Sequence, residues 1–252
     1  NMPQWAHLPL IMGPSGKLSK RDGAKYGFPV FAMNWTDHKT NELTEGFKEK
    51  GFLPEAFINL LAVLGWNDGT EQELFSLEEM VEKFSMDRVH KAGAKFDFEK
   101  AKWFNHEWIK KSEVKSLKSK VKELFKAESI QVDDELLLEK VIELVKERCT
   151  LLPDFVQQAG FFFKTPETLD VDAVKPKWNK EKEAFFNEYC NLLAGISNWE
   201  MVKIEEVFKT FVAEKNIKPG ELLLPLRIML VGSKFGPAVF QIAELIGKEE
   251  TI

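Results

Sequence analysis

A buried α-helix with a defined start and end is predicted by the segment Gly51-Phe52-Leu53-Pro54-Glu55-Ala56-Phe57-Ile58-Asn59-Leu60-Leu61-Ala62-Val63-Leu64-Gly65-Trp66. Pro54 suits the first turn of a helix, and Gly65 is a residue type at which helices commonly stop. Between them, apolar residues recur at helical spacing along one face: Phe57, Leu60, Leu61 and Leu64. This part of the chain is therefore expected to be helical.

Signals for helix starts continue on the C-terminal side of this segment. Ser76 and Glu79 form a capping box ahead of an apolar run. Asp97 can cap another helix, which continues toward Ile109. Together these signals predict a compact helical unit over residues 51–111.

An amphipathic helix with a lysine-rich face is predicted over residues 113–126. The lysines opposite its apolar stripe are Lys115, Lys118, Lys122 and Lys126. Residues 110–126 hold seven lysines against Glu113 and Glu123. This pattern fits either a solvated helix face or a contact with an RNA backbone, and the sequence leaves both interpretations open.

Further helices are predicted to the end of the chain. Residues 138–145 form an apolar helical pattern, with Arg148 near its C-terminal end. Residues 164–180 contain Pro166, Pro176 and several charges, which predicts a loop or linker. Ser197 and Glu200 are interpreted as a second capping box that starts the next helix.

The last two helices are predicted at about 220–231 and 237–246. Strand signals are almost absent after residue 12. The predicted fold class is therefore mainly α, with little β structure near the N-terminus.

Composition narrows the class of protein. The 252 residues are 44% hydrophobic and 30% charged, which is ordinary for a soluble globular protein of two or three modest domains. No apolar run is long enough to span a bilayer, and no secretion signal is visible, so we expect a cytoplasmic protein without a membrane partner. The net charge of −5 opposes indiscriminate coating of nucleic acid, although it allows a local basic patch.

Cysteines and histidines give no sign of a metal site. Cys149 and Cys190 lie in apolar helical patterns without CxxC spacing, so they are interpreted as buried thiols. The four histidines are scattered, with no pair at helical ligand spacing. We therefore predict no metal ligands in this chain.

Residues 13–23, Gly-Pro-Ser-Gly-Lys-Leu-Ser-Lys-Arg-Asp-Gly, predict a loop suited to a polyphosphate. Its glycines are expected to let the backbone approach an anion, while Lys17, Lys20 and Arg21 supply positive charge. A Walker A loop is excluded because Ile11 and Leu18 stand where that motif needs Gly and Ser or Thr. A nucleotide is the expected ligand.

Residues 17–21, Lys-Leu-Ser-Lys-Arg, resemble the KMSKS signature of class I aminoacyl-tRNA synthetases. Similarity to bacterial glutamyl-tRNA synthetases extends over further segments: 5–12, 51–66, 75–79, 96–105, 226–227, 236–237 and 245–249. It covers nearly the whole chain in order and is weak at about 26–48 and 164–198. Residues 26–47 form a longer connection than is usual in that family, and no role is assigned to them.

The resemblance implies that the full-length enzyme activates glutamate with ATP and Mg²⁺ and transfers it to tRNA(Glu). Its catalytic residues would be Lys20 and Lys17, and the residues binding ATP would be Lys17, Ser19, Lys20 and Arg21. The HIGH signature of the family is missing from this sequence. We therefore expect a C-terminal fragment that binds tRNA as a monomer and is inactive by itself.

The resemblance also implies a set of anticodon-binding residues: Arg148, Arg227, Pro237, Val239 and Lys110. Of these, Arg148 corresponds to the arginine that meets the third anticodon base. Gly236 and Ala238 depart from the usual Thr-Pro-Gly turn, which puts a hydroxyl contact from that turn in doubt. Trp103 and Asn105 also map near this surface, and Trp103 is interpreted as a core residue.

The resemblance predicts a division into four segments. These are the end of a catalytic domain at 1–50, a stem-contact domain at 51–111, and two anticodon-binding subdomains at 112–163 and 164–252. A glutaminyl-tRNA synthetase is disfavoured because its anticodon region resembles β-barrels, whose alternating strand patterns are missing here. Two alternatives remain, a helical protein-interaction module and a non-discriminating synthetase that charges both tRNA(Glu) and tRNA(Gln).

Overall fold

A computed structural model describes residues 2, 3, 5–14 and 16–252, with backbone only for Lys20, Arg21, Ala24 and Lys177. The described part is mostly helical with a few short strands, which confirms the predicted fold class. It forms two compact units. Unit 1 comprises Asn1–Glu113 and Cys149–Asp154, and unit 2 comprises Val114–Arg148 and Phe155–Ile252. The finer division into four segments stays a prediction.

Unit 1 combines short strands with helices. Strand Ile11–Gly13 pairs antiparallel with Gly16–Lys17 and parallel with Ala94–Lys95, and Trp35–Thr36 forms a separate hairpin with Leu43–Thr44. The helices are Lys20–Tyr26, Phe47–Lys50, Pro54–Val63, Leu77–Lys83 and Phe98–Lys111, with a 3₁₀ turn at Met86–Arg88. The strands after residue 13 have only two residues each, too few to show an alternating pattern in the sequence.

Three of the predicted helix starts in unit 1 are confirmed. Pro54 occupies the first turn of its helix. At the capping box, Ser76 Oγ accepts from the Glu79 N–H at 3.1 Å, and the Ser76 N–H donates to Glu79 Oε2 at 2.7 Å. Asp97 Oδ1 accepts from the N–H groups of the following helix. These caps act within a few residues, so a sequence pattern is sufficient to find them.

The core of unit 1 consists of apolar clusters and a buried side-chain amide. Its largest cluster is aromatic and aliphatic: Phe28, Phe47, Phe52, Leu60, Phe96, Ala101 and Phe104. Beside Phe104, the fully buried Asn105 accepts from the Leu53 N–H at 2.7 Å. Its Nδ2 donates to the carbonyl oxygens of Thr150 at 2.6 Å and Gly51 at 3.3 Å. One amide thus joins two backbone segments of the unit, one at residues 51–53 and one at Thr150.

Two expectations on this helix are wrong. Trp103, interpreted as core, has 41% of its surface exposed. Asn105, expected near an RNA-facing surface, is completely buried. The polar residue lies inside because its amide satisfies backbone groups of Gly51, Leu53 and Thr150, which are distant in sequence.

The remainder of the chain is helical. Its helices are Val114–Ala127, Glu135–Val145, Asp154–Ala159, Lys180–Ala194, Met201–Glu214, Pro219–Val231, Val239–Ile246 and Lys248–Thr251. Short 3₁₀ turns lie at Lys146–Arg148, Gly160–Phe162, Val171–Ala173 and Lys175–Lys177. The predicted linker at 164–180 contains only such turns and irregular backbone up to Asn179. The predicted helices at about 220–231 and 237–246 are both present.

The predicted capping box at Ser197 and Glu200 is wrong. Glu200 is itself the N-cap of helix Met201–Glu214, and its side chain makes no cap hydrogen bond. The first N–H of this helix, that of Met201, donates instead to Glu244 Oε1 at 3.0 Å. A side chain from another helix has therefore taken over the role of a local cap.

We predict that Asn105→Ala lowers the free energy of unfolding by about 3 kcal/mol. The change leaves buried backbone groups without hydrogen-bond partners, and each such group costs about 1–3 kcal/mol. The measurement is urea-induced unfolding, with Asn191→Ala at an exposed helical position as the control. A loss below about 1 kcal/mol would show that other partners replace these hydrogen bonds.

Candidate nucleotide and nucleic-acid sites

The lysine signature spans a hairpin and the start of a helix. Gly16, with φ of 130°, is the first residue of the second strand and pairs with Gly13, and helix Lys20–Tyr26 follows the hairpin. The expectation of a loop across residues 13–23 is therefore corrected, because Lys20 and Arg21 lie in the first turn of a helix. The side chains of these two residues, and Ser15, lie outside the described part.

Asp22 orders the signature from within. Both the N–H and the Oγ–H of Ser19 donate to Asp22 Oδ2, at 2.7 and 2.8 Å. Asp22 itself is buried, with 6% of its surface exposed. Since a hydroxyl has one hydrogen, Ser19 can donate to a phosphate only after releasing Asp22.

Gly23 has a different role from the one expected. It is buried, and a Cβ added to it would lie 2.8 Å from the Phe28 carbonyl oxygen and 3.2 Å from Val30 Cγ1. A side chain is excluded there by close packing within unit 1. The residue therefore lets two protein segments approach each other, and its lack of a side chain is not explained by an anion.

Lys17 fits a polyphosphate ligand. Its side chain is exposed in the second strand of the hairpin, next to Gly16. Among the described side chains, no carboxylate forms an ion pair with it. Its ammonium group is consequently available to an incoming anion.

In unit 2, two predicted anticodon residues lie close enough to interact electrostatically. Arg227, on helix Pro219–Val231, is half-buried, and Arg148 is exposed in the turn Lys146–Arg148. Burial, together with the positive charge of Arg148, lowers the pKa of Arg227. No carboxylate in the described part pairs with either guanidinium. Two uncompensated cations near each other form a site that attracts an anion.

The turn after Arg227 supplies a fixed partner for it. Arg227 Nη1 donates to the Pro237 carbonyl oxygen at 2.6 Å. Pro237 is buried, and so is the Val239 side chain, with 5% of its surface exposed. Any RNA contact at Val239 would therefore come from its backbone.

Lys110 lies in unit 1, on helix Phe98–Lys111, and pairs with Glu107 at 2.9 Å. The pair is partly exposed to solvent. Nothing in its geometry marks it as an RNA ligand, and its role stays a prediction.

The lysine-rich helix Val114–Ala127 is partly neutralised by its neighbour Glu135–Val145. Lys118 pairs with Glu139 at 2.7 Å and with Glu135 at 3.2 Å, and Lys122 also pairs with Glu135. The hydrogen bonds that Lys118 donates to Glu139 and Glu135 raise the pKa of this lysine. For these two lysines, the ion pairs favour a structural role between the two helices over contact with RNA.

Comparison with known proteins identifies the family of the chain. A family model described as an anticodon binding domain matches residues 98–252, more than half of the chain. The chain belongs to this family. A second model, the catalytic domain of class I tRNA synthetases (E and Q), matches residues 1–103, which include the lysine signature.

Individual relatives agree with the predicted resemblance to glutamyl-tRNA synthetases, which is confirmed. The glutamate–tRNA ligase of Flavobacterium johnsoniae is 45% identical over 99% of this chain and 50% of its own length. That of Christiangramia forsetii is 42% identical over 100% of this chain and 50% of its own. The chain thus spans about half the length of the curated relatives it matches.

A solved structure shows the same fold. The crystal structure of a glutamate tRNA ligase from Elizabethkingia meningosepticum, in complex with its amino acid, matches with a TM-score of 0.91 and 39% identity. The match covers 100% of this chain and 50% of that one. Within the described residues, no helix has the length and apolarity needed to cross a membrane.

We predict that Asp22→Ala loosens the start of helix Lys20–Tyr26. Losing a cap costs about 1 kcal/mol, so amide hydrogen exchange at residues 20–23 should accelerate roughly fivefold. The control is Asp37→Ala, which removes a similar hydrogen bond to the Lys39 N–H elsewhere in unit 1. Unchanged exchange at residues 20–23 would contradict the ordering role of Asp22.

Proposed function

We propose that this chain is the tRNA-binding part of a glutamate–tRNA ligase that recognises the anticodon of tRNA(Glu). The observation that carries this proposal is the pair of guanidinium groups of Arg148 and Arg227, within the region matched by the anticodon-binding family. Both lack a carboxylate partner among the described side chains.

The chemistry of these two residues suits an RNA loop. Single-stranded bases expose their hydrogen-bonding edges, which arginine reads with planar, directional donors. The partial burial of Arg227 strengthens its attraction to an anion, because less water screens the charge. Arg148, which is exposed, remains accessible to a base or phosphate.

Specificity is assigned to Arg148. The resemblance aligns it with the arginine that meets the third anticodon base, where tRNA(Glu) and tRNA(Gln) are distinguished. A wrong base opposite such a contact costs about 1–3 kcal/mol. We therefore favour a discriminating enzyme over one that charges both tRNAs.

Catalysis is assigned to the lysine signature in the full-length ligase. We propose that Lys17 and Lys20 stabilise the charge that develops on pyrophosphate as glutamate attacks ATP, with Arg21 extending the positive field. Ser19 serves mainly to order the signature through Asp22. Mg²⁺ would be held largely by the phosphates of ATP, as is usual for this ion.

The chain by itself is expected to bind tRNA without charging it, as a monomer in the cytoplasm. Its catalytic role depends on the other half of the ligase, which the relatives contain. The competing hypothesis is a helical protein-interaction module, which would show no saturable binding of RNA.

We predict that the chain binds tRNA(Glu) in preference to tRNA(Gln) and to an unrelated tRNA, and that Arg148→Ala removes about 1–3 kcal/mol of that preference. The measurement is equilibrium binding across a salt series. Lys209→Ala is the control, since Lys209 is exposed in unit 2 and paired with Glu205. Weak binding that is equal for all the tRNAs and is abolished by salt would contradict anticodon recognition.

In the full-length ligase we predict that Lys20→Ala lowers the rate of glutamate-dependent ATP–pyrophosphate exchange by about 100-fold. Removing one preorganised donor to transition-state charge has an effect of this order. Lys25→Ala, an exposed lysine on the same helix, is the matched control. Equal rates for the two variants would exclude Lys20 from the chemical step.

A further inference from the structure

The guanidinium of Arg227 is fixed before any ligand arrives. Its Nη1 donates to the Pro237 carbonyl oxygen at 2.6 Å, a main-chain acceptor in the turn after its own helix. Pro237 is buried, so this acceptor belongs to a packed part of unit 2. The remaining N–H groups of the guanidinium stay available to an external acceptor.

Gly236 provides the space that this arrangement needs. Its φ of 140° is a conformation that residues with a side chain rarely adopt. A Cβ added to it would lie 3.2 Å from Arg227 Nη1, 3.7 Å from Ile242 Cδ1 and 3.9 Å from Phe161 Cζ. With the turn in the conformation that it has here, an added methyl group would press on the guanidinium by a few tenths of an ångström, and the positive φ would be strained.

We propose that Gly236 is a positioning residue, which affects the recognition of RNA only through its effect on Arg227. Its missing side chain lets the guanidinium lie against the turn and bond to Pro237, so that the free edge points in one direction. The inference rests on the proposed function for its biological meaning, whereas the positioning itself is a property of the free protein.

Such positioning affects affinity through preorganisation. An arginine side chain has many rotamers, and ordering it at the moment of binding costs free energy. The bond to Pro237 has already ordered Arg227, so an RNA acceptor gains the contact without that cost. The acceptor is either a phosphate oxygen or a base edge, and the two differ in salt dependence and in tRNA preference.

The first test is made without RNA. The chain contains only four arginines, so the guanidinium N–H signals of an isotope-labelled sample can be assigned, using Arg227→Lys to identify those of Arg227. We expect an N–H of Arg227 protected from solvent exchange in the unsubstituted chain, and at least about tenfold less protection in Gly236→Ala. An unprotected Arg227 in the unsubstituted chain overturns the proposal, whatever the variant does.

The second test is a double-mutant cycle of tRNA(Glu) binding. We expect Gly236→Ala to weaken binding about tenfold in the unsubstituted chain, within the range for losing one specific arginine contact. In an Arg227→Ala background the same substitution should change nothing, because a residue that acts through Arg227 has no effect without it. Equal losses in both backgrounds would overturn the proposal.

Two glycines are controls for this cycle. Gly247 also has a positive φ, of 91°, with no atom within 4 Å of an added Cβ, so Gly247→Ala reports backbone strain without crowding. Gly220 lies on the same helix as Arg227 with open space around it, so Gly220→Ala reports neither. Both should bind tRNA(Glu) as the unsubstituted chain does, and a loss in Gly247→Ala equal to that in Gly236→Ala would assign the effect to strain.

The two tests separate the possible failures. Protected Arg227 signals with no preferential binding of tRNA(Glu) would leave the positioning standing and contradict the proposed function. A salt slope that falls by about one unit in Gly236→Ala identifies the acceptor as a phosphate. A loss of preference among tRNAs with an unchanged slope identifies it as a base edge.

Discussion

The side-chain amide of Asn105 is the interaction on which the architecture of unit 1 most depends. It satisfies backbone groups of Gly51, Leu53 and Thr150 in a place from which water is excluded. Leu53 immediately precedes helix Pro54–Val63, so the same amide fixes where that helix begins. A backbone polar group left without a hydrogen-bond partner in a core costs free energy. One side chain with both donors and an acceptor provides partners for several such groups.

Charge is distributed so that an acidic protein keeps a few cations free. Many lysines are committed to carboxylates, as Lys83 is to Asp68 and Lys118 is to Glu135 and Glu139. Arg148 and Arg227 have no such partner in the described part of the chain. Local cations without counter-charges, and not the net charge of −5, determine where RNA is expected to bind.

Both candidate sites use backbone geometry to place a charged group. At the lysine signature, Asp22 accepts hydrogen bonds from the N–H and the Oγ–H of Ser19 and thereby orders the start of the helix that carries Lys20. At the second site, the Pro237 carbonyl holds Arg227. In each case a carboxylate or carbonyl oxygen of the protein orders the cationic segment before a ligand is present, which reduces the entropy lost on binding.

The sequence by itself determined the mainly helical fold, three helix starts in unit 1 and the family. These signals act over three or four residues or lie in contiguous motifs, so no knowledge of distant contacts is required. Only the tertiary structure decided that Asn105 is buried and Trp103 exposed, that Glu244 replaces Ser197 at a helix start, and that Pro237 holds Arg227. The burial of Asn105, the cap from Glu244 and the bond from Arg227 to Pro237 each depend on a partner ten or more residues away, which a local pattern does not contain.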